Sequence, residues 1–98
     1  MPIRIQRTRQ KPLPPKTRYI GRAKGNYGKY GNPYTIADFG LDDCLHLYEV
    51  YLDDILRRDS HFLDDLRDYD YIACWCATDK KCHGDILLRK MKTLGLIA

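Results

Sequence analysis

No apolar run in the 98-residue chain approaches the roughly 20 residues that a membrane-spanning helix needs. The first nine residues alternate small apolar and basic side chains, so the apolar core of a signal peptide is missing too. The expectation is a soluble, cytoplasmic protein without a membrane partner. The Gly-x4-Gly-Lys-Ser/Thr spacing of a phosphate loop is absent, and no internal repeat is visible. Acids are absent from residues 1–30, which hold nine Lys or Arg and carry +9. The remaining residues hold eight Lys or Arg against 13 acids, a charge of −5. A basic segment this dense implies an anionic partner. Alternatively it neutralises the acidic body of the same chain, or of a neighbouring subunit in a homo-oligomer.

A hydrophobic content of 44% in this length suits one domain with one core. Residues 1–17 contain Pro2, Pro12, Pro14 and Pro15 and read as a basic arm, with an edge strand allowed where Ile3 and Ile5 alternate with polar residues. Residues 18–98 read as a single α/β domain. The pattern predicts a strand over Thr17–Arg22 that ends at Gly21, and a second short strand over Tyr34–Ala37. Leu41, Cys44, Leu45, Tyr48, Leu52, Ile55 and Leu56 recur at helical spacing, with Asp42 and Asp43 at the start and Arg57 and Arg58 at the end. Ser60 is placed to cap a second helix carrying Phe62, Leu63 and Leu66. Asp70 to Trp75 is the best strand. A last helix runs from Cys82 or His83 to about Leu94, closed by Gly95. Strands alternating with helices predict a small α/β fold, with a mixed or mostly parallel sheet and about three helices.

Two stretches carry chemistry. The first is the glycine-rich loop Arg22 to Tyr34. Its backbone amides can form an anion-binding concavity, Arg22 and Lys24 add charge beside Gly25, and Tyr27 and Tyr30 can stack on a ring. Asn32 supplies a polar side chain. A plain surface loop is the bland alternative.

The second stretch is Cys74-Trp-Cys76 followed by Cys82-His-Gly-Asp85. Cys74, Cys76, Cys82 and His83 have the ligand types of a zinc site. Their spacing argues against zinc: a Cys-x-Cys on a strand puts its thiols roughly 7 Å apart, too far for one ion unless the strand turns. A ligand pocket accounts for the sequence better. Cys76 to His83 falls beyond the carboxyl end of a strand and at a helix start, where amides favour an anion. There Cys76, Cys82, His83 and Gly84 would contact ligand, and Cys82 would have a lowered pKa. Cys82, His83 and Asp85 are the candidate catalytic groups if the protein turns a substrate over. In the structural reading, Cys74 is core and Trp75 packs the sheet.

The motifs Tyr19-Ile-Gly-Arg22, Gly31-Asn-Pro-Tyr34, Cys74-Trp-Cys76 and Cys82-His-Gly-Asp-Ile-Leu87 together resemble the family catalogued as domain of unknown function 4326, over roughly residues 3–94. The resemblance implies a small α/β domain of phage or prophage origin and supplies no activity. The Cys-x-Cys, loop, Cys-His arrangement is also similar to another uncharacterised family, domain of unknown function 488, associated with nucleotide-related α/β folds. Together with the residues, this leads to the expectation of a nucleotide-related anion held between the glycine-rich loop and the Cys-His helix start. The alternative is a nucleic-acid or host-protein binder acting through Arg4, Arg7, Arg9, Lys11, Lys16 and Arg18. A second alternative is a zinc-stabilised interaction module.

Overall fold

The computed structural model describes residues 2–21, 28–76 and 78–97. Its centre is a three-stranded sheet. Strand β1 is Ile3–Gln6, β2 is Thr17–Tyr19 and β3 is Tyr71–Cys74, in the order β1-β3-β2. Both edge strands run parallel to β3, with Arg4 opposite Ile72 on one side and Arg18 opposite Ile72 on the other. The middle strand is the apolar Tyr-Ile-Ala-Cys, and Ile72, Ala73 and Cys74 are buried, as expected where both ladders of a parallel strand are filled. Pairing continues past the strand ends: Arg7 N–H donates to the Cys74 carbonyl at 2.7 Å and Ile20 N–H to the Ala73 carbonyl at 2.9 Å. All three carboxyl ends therefore emerge on one edge. The expected arm thus supplies an edge strand to the sheet.

The segment between β2 and β3 contains α1 (Ile36–Phe39), α2 (Leu41–Arg58) and a 3-10 turn at Asp64–Asp68. In α2, Cys44, Tyr48 and Leu52 recur every four residues and are buried, so one stripe faces the core. After β3 a short loop leads into α3 (His83–Thr93), which buries Ile86, Leu87 and Met91. Gly95, at φ +77°, ends this helix in the left-handed conformation. Ile20, Tyr30, Leu63, Leu66 and Ile72 complete the core. Glu49 and Asp53 of α2 meet Lys90 of α3 at 3.0 and 2.8 Å, so an ion cluster spans the outer side of the helix pair.

Two local expectations are corrected. Tyr34–Ala37 is not a strand: the Thr35 hydroxyl accepts a hydrogen bond from Asp38 N–H and starts the single turn α1. Ser60 does not cap a helix either. Asp59 accepts from His61 N–H, and the chain makes turns before the 3-10 segment begins after Leu63.

Candidate ligand cleft and cysteine cluster

Because the sheet is parallel and α3 is the next element after β3, the carboxyl edge collects Arg7, Tyr19 to Gly21, Cys74 to Cys76 and the start of α3. A cleft of about 490 Å³ opens there. Tyr19, Tyr34 and Trp75 form aromatic walls, with Ile36, Leu41 and Leu45 apolar between them. Cys74, Cys76, Cys82 and His83 form one side. Trp75 remains 49% exposed, so it lines the cleft instead of packing the sheet. Across Trp75 lies a second groove of about 420 Å³, lined by Arg7, Arg9 and Lys11. The Arg7 guanidinium lies 4.6 Å from the Tyr19 ring centroid and 5.3 Å from that of Trp75. It links the aromatic cleft to the basic groove.

Strand β3 ends at Cys74 and the chain bends at Trp75 and Cys76. The extended spacing expected for Cys-x-Cys therefore does not apply. The sulfurs of Cys74, Cys76 and Cys82 all lie within 4.8 Å of one another, so the cluster could hold a metal ion. Cys74 and Cys82 sulfurs are 2.9 Å apart and share a hydrogen bond. This contact holds the Cys74 thiol down to about 6, against the cost of burial, with the Cys76 backbone N–H and Arg4 assisting. The same contact, with burial, pushes the Cys82 thiol up. Two sulfurs sharing one proton release the first readily and hold the second. The first proton is lost by the Cys74–Cys82 pair as a unit, not by Cys82 alone as its helix-start position suggests.

Cys82 is the N-cap of α3. Its sulfur accepts from Gly84 N–H at 3.4 Å, and the Asp85 carboxylate accepts from Cys82 N–H at 3.2 Å, closing a capping box. His83 Nε2 lies 2.7 Å from the Ile20 carbonyl oxygen. A carbonyl only accepts, so Nε2 carries the proton, and in the neutral ring Nδ1 presents its lone pair 3.6 Å from Cys82 Sγ. The ring also stands edge-on to Tyr48 at 5.2 Å.

Arg4 locks the loop that carries these groups. Its guanidinium donates to the Asp85 carboxylate at 2.9 Å, to the carbonyls of Thr78 and Lys80 at 2.9 and 2.8 Å, and to the Cys76 carbonyl at 3.5 Å. Nη1 also points at Cys74 Sγ, 3.9 Å away. The side chain is only 6% exposed. Burial opposes its charge, but Asp85 and the cysteine sulfurs outweigh burial and leave its pKa raised.

The expected site residues divide. Cys76, Cys82, His83 and Asn32 come together at the cleft. The polar atoms of Asn32 are spent internally: Nδ2 reaches the Cys44 carbonyl and sulfur, and Oδ1 accepts Tyr34 N–H. Tyr30 is core, 3% exposed, with its hydroxyl donating to the Phe62 carbonyl. Gly84 is buried against Arg4 and Ile20, away from the cleft lining. Arg22, Lys24, Gly25 and Tyr27 lie outside the described residues. The six basic candidates also separate. Arg7, Arg9 and Lys11 share the groove beside Trp75, and Arg4 is internal. Lys16 precedes β2 at the opposite edge of the sheet, and Arg18 lies 5.3 Å from the Tyr30 ring centroid. Sequence reading missed Tyr19, Tyr34 and Trp75 as cleft walls. The available signal was the position of Tyr19 and Trp75 at the carboxyl ends of parallel strands.

No described helix is long and apolar enough to cross a membrane. A family model described as a domain of unknown function, DUF4326, matches residues 3–93. The chain belongs to this family. No curated protein and no solved structure matches it.

Proposed function

We propose that this DUF4326 domain binds a nucleotide-related, ring-bearing anion at the carboxyl edge of its sheet. The carrying observation is the junction of an aromatic cleft with a basic groove across one residue, Trp75. A planar base would sit against Tyr19, Tyr34 and Trp75, where stacking on aromatic side chains contributes about 1–3 kcal/mol per base. Its phosphate would face Arg7, with Arg9 and Lys11 beyond. Ligand sites of parallel α/β sheets occur at this edge, where loops rather than paired strands supply the contacts.

Binding without turnover is the better reading. Asp85 is held by Arg4 and Cys82 N–H, and His83 Nε2 by the Ile20 carbonyl, so two of the three candidate catalytic groups are committed to the fold. For a phage-encoded protein, such a domain would sequester a host nucleotide. The dispersal of the six basic residues makes a nucleic-acid track through all of them less favourable.

The cysteine trio favours a second reading, a zinc-stabilised module. The two are compatible, since the trio forms one side of the same cleft. Mass spectrometry of small molecules released from protein purified out of cells tests the nucleotide reading. A nucleotide-related species near stoichiometric with protein supports it. A bound species lacking both ring and anion, retained after Trp75→Ala, contradicts it.

A further inference from the structure

We propose that Cys74, Cys76 and Cys82 hold one zinc ion as a trithiolate whose fourth coordination position opens into the cleft, with Arg4 as the positioning residue that balances its charge. This rests on the metal reading of the cluster and is independent of the nucleotide reading. The three cysteine sulfurs are the one group of close metal-ligand atoms among the described residues, all three line the cleft, and each thiol would release its proton to solvent as zinc binds. Zinc–sulfur bonds of about 2.3 Å in a tetrahedron set sulfur separations near 3.8 Å. That lies between the 2.9 Å Cys74–Cys82 contact and the 4.8 Å span of the trio, so closing on zinc requires the Cys74 and Cys82 sulfurs to part.

The surroundings are those of a metal centre's outer shell. Zinc with three thiolates carries a net single negative charge, which is costly to bury unpaired. The Arg4 side chain, 6% exposed, brings a positive charge 3.9 Å from Cys74 Sγ, shared with the half-exposed Asp85 carboxylate on its other edge. Gly84 N–H already donates to the Cys82 sulfur. Arg4 also holds the Cys76, Thr78 and Lys80 carbonyls, which fixes the loop that brings Cys76 back to Cys74. Such outer partners are worth about 10–100-fold in metal affinity.

His83 stands beside the cluster and does not complete it. Its ring is anchored by the Ile20 carbonyl and the Tyr48 ring, and its nitrogens fall outside the mutually close ligand group. The fourth position is left to solvent or to a donor atom of a molecule in the cleft. This is the arrangement of zinc sites that exchange a ligand, in contrast to closed structural sites.

The test uses the full chain, loaded with zinc and freed of excess. Native mass spectrometry should find about one zinc per chain, and X-ray absorption should find three sulfurs at about 2.3 Å with one light atom. In the cobalt(II)-loaded protein, added imidazole should shift the tetrahedral visible bands. Cys76→Ser, at the half-buried member, should weaken zinc binding more than tenfold. Arg4→Gln should weaken it about 10–100-fold, while His83→Ala should leave it within about threefold. Circular dichroism shows whether each variant is folded, and the wild-type spectra decide the matter if a variant is not. Less than about a tenth of an equivalent after loading overturns the metal site. Protein imidazole scattering at the ion, or cobalt bands indifferent to added imidazole, overturns the open position. Nucleotide binding in the zinc-free protein is read separately, so failure of either proposal leaves the other standing.

Discussion

Arg4 on the first strand donates to Asp85 on the last helix at 2.9 Å, joining residues 81 positions apart. The same guanidinium holds the carbonyls of the loop between them. Arg4→Met keeps much of the side-chain volume and removes every one of these bonds. Asp85 is half exposed, so it regains water when its partner is lost, and the expected cost is at the lower end for a buried charged group. Urea unfolding should show a loss of about 2–3 kcal/mol. A loss under about 0.5 kcal/mol would mean that the clamp does not hold the fold.

Gly84 tests how tightly α3 sits on the sheet. A Cβ there would come within 2.8 Å of Arg4 Cδ and 2.9 Å of Ile20 Cδ1. Neither neighbour yields easily, since Arg4 is clamped and Ile20 is 1% exposed. Alanine is the better helix former by about 1 kcal/mol. Overpacking costs about 1–3 kcal/mol and should win. Gly84→Ala is expected to lower Tm and to disturb the cysteine cluster. A raised Tm would show that the helix can lift off the sheet freely.

The ion cluster between α2 and α3 gives a pH signature. Hydrogen bonds from Lys90 and then Arg89 lower the Glu49 pKa from its ordinary 4.5. A lowered folded pKa means that the stabilisation is present above the unfolded value and fades as pH falls through the folded one. The Tm gap between the wild type and Glu49→Gln should therefore be open at neutral pH and close on acidification below 4.5. A gap that widens on acidification would contradict the sign. The pair is partly exposed, so the gap is small and shrinks with salt.

Much of the fold was legible because it rests on local periodicity. The stripe Cys44, Tyr48, Leu52 marked α2, the apolar Tyr71–Cys74 run marked β3, and the Cys-His start with Gly95 bounded α3. The site was less legible because it depends on where chain segments meet. Cys76 follows a bend that no alternation pattern encodes, so its sulfur returns to Cys74 where an extended spacing would keep them apart. Arg4 reads as one more basic residue of the arm, and only its place opposite Ile72 on β1 makes it internal. Tyr30 looked like a stacking platform, but its ring is needed against Phe62, 5.4 Å away.

The basic groove gives an electrostatic prediction. Arg7→Ala removes a charge and the cation over Tyr19 and Trp75. Binding of a nucleoside diphosphate should weaken by about tenfold, roughly 1.4 kcal/mol. In the wild type it should weaken with rising salt, whereas Lys16→Ala at the far edge should change nothing. Equal effects of the two variants would place the anion elsewhere.

Trp75 is the single tryptophan of the chain and lines the cleft. Its fluorescence therefore reads the central claim directly. A panel of nucleoside mono- and diphosphates titrated into the full chain should give saturable quenching for at least one, abolished by Tyr34→Ala. Unchanged Trp75 emission with every nucleotide at millimolar concentration, in protein shown to be folded, would contradict a nucleotide-binding cleft.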